Sequence, residues 1–251
     1  MTGTAASDEV RSLAAEENLG SPLAVFRPAE RYGLLGGWLL VGLFPFIFFA
    51  GTTPLASLVP GVLAWPLAVR GLLRSPVLVR KLTRRRIHLY EQGFVYEDTS
   101  GGLKVFRWDR ITLFQRVRTR QYGTWKRRWY RLVVIRDDGE TIRLTHVWAG
   151  MERLAHEVGP RATQAQLRVA QAALREGRSV DFGELSVNAH GVTGRRGSAP
   201  WSEIDVVTSR WARVTVLAAD RFLPLHSAPA WKIPNVGLLL QLSRDQRAQG
   251  G

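Results

Sequence analysis

Between Arg31 and Arg70 there is no charged residue, and the stretch 33–69 is rich in large apolar side chains such as Trp38, Leu39, Leu40, Phe44, Phe46, Ile47, Phe48 and Phe49. One bilayer crossing needs about 20 apolar residues, so this stretch has the length of two. Gly51-Thr52-Thr53-Pro54 supplies a turn in its middle. The expectation is an N-terminal transmembrane helical hairpin over residues 32–73. Arg27 and Arg31 precede it, Arg70, Arg74, Arg80, Lys81, Arg84, Arg85 and Arg86 follow it, and the turn is uncharged. The positive-inside rule then predicts a multi-pass protein of the inner (cytoplasmic) membrane with both termini cytoplasmic. A hairpin dipping into one leaflet would leave the same charge asymmetry, although each leg is close to a full span.

The remaining chain is long enough for one large or two small domains. It has no cysteine, which excludes disulfides, thiolate catalysis and cysteine-ligated metals. The formal charge of +14 is concentrated: the window Arg74–Arg136 holds 17 basic residues and only the acids Glu91, Glu97, Asp98 and Asp109. Five histidines, His88, His146, His156, His190 and His226, show no metal-ligand spacing, and no phosphate loop, nucleophile elbow or dinucleotide fingerprint occurs. No catalytic residue, cofactor or metal is expected, and membrane tethering would account for the basic face without nucleic acid.

Residues 1–31 read as a polar cytoplasmic tail with a short helix from Ser7, and 74–86 as a basic juxtamembrane linker. From Ile87 short β-rich runs alternate with glycine turns, the pattern of an antiparallel meander. Ile111–Arg120 and Trp125–Arg136 form a long hairpin turned at 121–124. Met151–Val158 is helical, Gly159-Pro160 breaks it, and Ala162–Glu176 is a second, amphipathic helix. The pattern then restarts. Gly93-Phe94-Val95-Tyr96 leads to Trp108-Asp109-Arg110-Ile111, and Gly191-Val192-Thr193-Gly194 leads to Trp201-Ser202-Glu203-Ile204. Later strands are expected at Val206–Arg210, Arg213–Ala218 and Arg221–His226, with a helix from Pro234 to Gln246.

That order, strands closed by a helix and repeated once, resembles bacterial PH-like-domain membrane proteins. It is most similar to an uncharacterised actinobacterial family with a transmembrane hairpin followed by PH-like modules. The resemblance implies an α+β fold with two tandem PH-like modules, each a curved antiparallel sheet plus a C-terminal helix. Their expected bounds are 87–177 and 178–247, with a short tail at 248–251. It implies attachment to lipids or proteins and no catalytic residues. Trp108, Ile111, Trp201 and Ile204 are expected as core anchors.

The basic hairpin is the candidate site. Alternation puts Phe114, Arg116, Arg118 and Arg120 on one face of the first strand. On the second, Lys126 and Arg128 share one face, and Trp125, Arg127, Trp129 and Arg131 the other. Arginine forks bind phosphate and tryptophan favours the headgroup zone. The membrane-facing reading places Arg116, Arg118, Lys126 and Arg128 on one exposed surface, level with Arg80 and Arg84; Lys81, Arg85, Arg86, Arg120, Trp125, Arg127 and Trp129 are the further expected lipid contacts. The expected partners are the lipid bilayer and its anionic phospholipids, with a possible protein partner through the second module. A scaffold recruiting an envelope protein, with lipid contact incidental, is the alternative; a membrane-anchored enzyme comes third.

Overall fold

The alternation of apolar and polar residues that marks a half-buried strand is followed closely by Thr141–Leu144 (β7) and Arg213–Ala218 (β13), whose odd and even positions split between core and solvent. A computed structural model describes residues 2–29, 85–122, 124–145, 148–210, 213–219 and 221–250. In order, it contains α1 (Thr2–Glu16), β1 (Pro22–Phe26), β2 (Arg86–Tyr90), β3 (Gly93–Glu97), β4 (Leu103–Arg107), β5 (Ile111–Tyr122), β6 (Trp125–Arg136), β7, then α2 (Met151–Arg175). There follow β8 (Val180–Asp181), β9 (Ser186–Val187), β10 (Gly191–Gly194), β11 (Gly197–Pro200), β12 (Ile204–Arg210), β13, β14 (His226–Pro229) and α3 (Val236–Gly250). The strands make four separate antiparallel sheets, in the orders β1-β2-β3-β4, β5-β6-β7, β11-β10-β9-β8 and β12-β13-β14.

The membrane part of the expected fold is corrected. Among the described residues none of the three α-helices is long and apolar enough to cross a membrane, and most of the rest is antiparallel sheet. The longest, α2, has the length but carries Glu152, Arg153, Glu157, Arg161, Arg168 and Arg175 along it. The expectations of a transmembrane hairpin and of a multi-pass inner-membrane protein with both termini cytoplasmic are corrected on this finding. The residues read as that hairpin, 32–73, and Arg80, Lys81 and Arg84 behind it, lie outside the described residues.

The N-terminal residues are not a tail. β1 pairs antiparallel with β2, Phe26 opposite Ile87, so the chain leaves and re-enters the first sheet at neighbouring strands. Pro28 bridges to Trp148, and the Ala149 N–H donates to the Arg27 carbonyl. α1 and the turn after it cover the other face of this sheet: Val10 and Ala14 of the helix and Leu19 beyond it are buried against Tyr90 and Val95. A strand covered on both faces loses its alternation, and β3 is accordingly buried at four consecutive positions.

The main core of the first unit lies between its two sheets and the first half of α2. Phe94 stacks on Phe106 with ring centroids 4.9 Å apart and lies 5.3 Å from Trp108, above Leu132, Val134, Leu144, Leu154 and Val158. α2 is one helix, not two. Pro160 has no N–H for the preceding turn, a loss worth about 3 kcal/mol in a helix interior. Burial on both sides of it, Leu154, Ala155 and Val158 before and Ala162 and Gln166 after, keeps the helix continuous. Its two ends serve different cores: Met151 to Ala162 belong to the first, Ala170 and Leu174 to the second, with Phe182, Leu185, Val214, Val216, Leu225 and Leu239.

The second unit has as many strands as the first, although several are only two to four residues long. The expected strand Arg221–His226 is instead a loop leading into β14. The internal repeat extends to atomic detail. Trp108 and Trp201 each open a short 3-10 turn, and both are buried, as are Ile111 and Ile204 four positions into each motif. The Trp108 indole donates to the Glu91 carbonyl at 2.9 Å and its backbone N–H to Gln92. The Trp201 indole donates to the Asn188 carbonyl at 3.1 Å and its backbone N–H to His190. Gly93 and Gly191 are glycines for one reason: a Cβ at either would run into the carbonyl of the facing strand, Phe106 or Ala199.

Candidate functional site

β5 and β6 pair over their whole length, from Ile111 opposite Arg136 to Tyr122 opposite Trp125. β7 reaches only the Leu132–Ile135 part of β6. Beyond it the two strands continue as a two-stranded arm that contains Arg116, Arg118, Arg120, Lys126, Arg127, Arg128 and Arg131 and no acid. The arm rests on α2 through Tyr130, whose ring is buried edge-on to His156 at 5.9 Å and whose hydroxyl donates to Glu152 at 2.9 Å. Burial first, and then that hydrogen bond, raises the Tyr130 pKa. Arg128 lies 3.8 Å from Glu152 as a surface ion pair, worth about 0–1 kcal/mol.

The register sorts the predicted site residues. Arg116 stands opposite Arg131, Arg118 opposite Trp129 and Arg120 opposite Arg127, whereas Arg128 pairs with Thr119 and Lys126 with Gln121. Directly opposed residues share a face. Arg116 and Arg118 therefore share one face with Arg131 and Trp129, and Arg128 and Lys126 sit at positions of the other. The expectation that Arg116, Arg118, Lys126 and Arg128 form one surface is corrected: the arm carries cations at positions of both faces. Like charges directly opposed are destabilising, so the Arg116–Arg131 pairing costs stability. Arg86 opens β2 of the other sheet and Arg85 precedes it, half-buried beside Glu97 (4.0 Å) and Asp98 (3.7 Å) respectively.

Sequence reasoning missed the contact between the two units. Asn235, at a left-handed φ of 47°, bonds Leu113 on edge strand β5 in both directions. Its N–H donates to the Leu113 carbonyl and its Oδ1 accepts from the Leu113 N–H, each at 2.8 Å. Gln166, buried on α2, donates from Nε2 to the carbonyls of Trp108 and Ile111, both at 2.8 Å. Between the outer face of β5–β6 and the segment from β14 to Ile233 lies a groove of about 670 Å³. It is lined by Phe114, Arg116, Arg131, Val133 and Ile135 from the first unit and by Arg195, His226, Trp231, Lys232 and Ile233 from the second. Only the adjacency of Trp231 and Lys232 hints at it in the sequence.

His226 is buried, and its Nε2 has no hydrogen-bond partner among the described residues. Burial lowers its pKa, as it lowers that of His88, where burial outweighs the neighbouring Glu97. Both histidines take up a proton more readily unfolded than folded. Their neutral forms therefore stabilise the fold above the unfolded value of 6.5, and that stability is lost as the pH falls below it. The expected result is a lower melting temperature at pH 5.5 than at pH 7.5, with the difference reduced in His88→Gln and His226→Gln. A slope of opposite sign would contradict this assignment. Among the described residues no group of histidine, aspartate or glutamate side chains is placed to hold a metal ion.

The sequence signature of a family of unknown function, DUF6585, matches residues 7–250. The chain belongs to the DUF6585 family. The matched region runs from α1 through both units to the end of α3, so in this DUF6585 chain the arm and the groove both lie within it. No curated protein and no solved structure shows significant similarity to the chain.

Proposed function

We propose that this DUF6585 protein is a non-catalytic binding protein of two PH-like modules, whose first module contacts anionic phospholipid surfaces through the β5–β6 arm. The observation that carries the reading is the pairing of arginine against arginine along an arm without an acid. Such pairings weaken the free arm, and phosphate groups between the opposed guanidiniums would offset the repulsion. With cations at positions of both faces, the arm suits an end-on approach, led by the turn between Tyr122 and Trp125. Flotation of the full chain with phosphatidylcholine vesicles, with and without phosphatidylglycerol, tests it. Recovery that rises with the anionic lipid and falls with salt supports the reading; equal recovery on both vesicles defeats it.

One observation favours a protein partner for the second module. Phe222 is fully exposed at 101 % and Leu223 at 57 %, on a loop held in place by two arginines. The Arg221 guanidinium donates to the carbonyls of Arg196 and Ser198, and Arg196 donates to that of Pro224. Adjacent exposed apolar side chains on a braced loop are a feature of interaction sites. Proximity labelling with the full chain and with Phe222→Ser/Leu223→Ser is expected to lose a specific neighbour in the variant. An unchanged labelling profile would remove this reading.

A further inference from the structure

We infer that the groove between the two modules binds a single amphiphile with an anionic head and a hydrocarbon body. The outer face of β5–β6 would be polar if it simply met solvent. Instead Phe114 stands opposite Val133 there, with Ile135 on the same face, and all three are half-buried beneath the second module. They form an apolar floor.

The rim has the opposite character. Arg116, Arg131, Arg195 and Lys232 are exposed, and none of them has an ion pair to a described residue. Among the described residues the only acid lining the groove is Glu184. Two of the cations converge on one ring from different modules. The Arg116 guanidinium lies 5.1 Å and the Lys232 ammonium 5.6 Å from the centre of the Trp231 indole. The ring holds both but does not neutralise either; an anion placed between them would.

Floor and rim together select the ligand. An inorganic anion would leave the apolar floor against water, and a neutral lipid would leave four cations uncompensated. An amphiphile satisfies both, and a groove of about 670 Å³ falls within the range of small-molecule sites. Because Arg116 and Lys232 come from different modules, such a ligand would also tie the modules together. This inference does not rest on the surface reading above, since a dissolved amphiphile can enter without a membrane.

The test is calorimetric titration of the full chain with dodecyl phosphate below its micelle concentration, beside monolauroylglycerol and inorganic phosphate. Saturable one-to-one binding of dodecyl phosphate, with both controls much weaker, is expected. Arg116→Glu/Lys232→Glu should weaken it by about tenfold or more. Ile135→Asp should weaken it through the floor, with circular dichroism confirming that the chain stays folded. The variant Arg143→Glu/Arg168→Glu, exposed and outside both the arm and the groove, should bind as the parent does. Absence of saturable binding, equal binding of either control, or undiminished binding by the Arg116/Lys232 variant overturns the inference. Loss of binding in the Arg143/Arg168 variant also overturns it, because net charge and not the groove would then drive binding.

Discussion

Reversing Arg118, Arg120, Arg127 and Arg128 to glutamate is expected to abolish the anionic-lipid-dependent part of vesicle binding. Each cation held near an anionic surface contributes about 1 kcal/mol. Removing four therefore loses about 4 kcal/mol, on the order of a thousandfold in partitioning at low salt, and the new carboxylates add repulsion. The fold should tolerate the change. Arg118 and Arg128 are exposed, and the sole described ion pair among the four, Arg128–Glu152, is a surface pair worth about 1 kcal/mol or less. Net charge is the competing explanation. A control with Arg143, Arg168, Arg175 and Arg244 reversed, all exposed and outside the arm, changes the charge equally. If the control loses binding to the same extent, the arm has no special role.

The hairpin was legible because its two strands are β-rich and flank a glycine-bearing turn, although β5 runs on to Tyr122, past the expected end at Arg120; its register was not. Period-two alternation says which residues of one strand share a face, but not which residue of the partner stands opposite. A pairing that puts Arg118 across from Trp129 separates Arg116 and Arg118 from Arg128. The repeat was legible through Trp108 and Trp201 because the same steric and hydrogen-bonding problem recurs at each: a glycine under a facing carbonyl, followed by an indole that must reach a backbone oxygen. Residues 1–31 misled for a different reason. Their polarity reads as a solvated tail, and the few apolar residues that matter, Val10, Ala14, Leu19 and Phe26, find their partners some 70 residues later. No local pattern reports a contact of that range. Likewise Gly159-Pro160 is a strong local stop signal that packing on both sides overrides, and the apolar outer face at Phe114, Val133 and Ile135 is indistinguishable in sequence from a second core face.

The sharing of α2 between two cores makes Trp108→Ala the most informative stability experiment. The ring is 1 % exposed, packed on Phe94 and bonded to the Glu91 carbonyl. Its removal should cost about 3–5 kcal/mol from the cavity, with more for the lost hydrogen bond, out of the roughly 5–15 kcal/mol by which domains are usually stable. Trp108→Phe keeps the ring stacking and loses the donor and some volume, so it should fall between the parent and alanine. Trp201→Ala should lie at the lower end of the same range, because that indole is 8 % exposed and its hydrogen bond is longer. The decisive quantity is cooperativity. Met151–Ala162 and Ala170–Leu174 are one helix serving both cores, Gln166 ties that helix to the Trp108 turn, and Asn235 locks α3 to β5. Loss of the first core should therefore release the helix that closes the second. Urea unfolding of Trp108→Ala, followed by far-UV and near-UV circular dichroism, is expected to show one transition shifted to lower urea. Two transitions, the later one at the midpoint of the parent, would mean that the modules fold independently and that the bonds through Gln166 and Asn235 only position them.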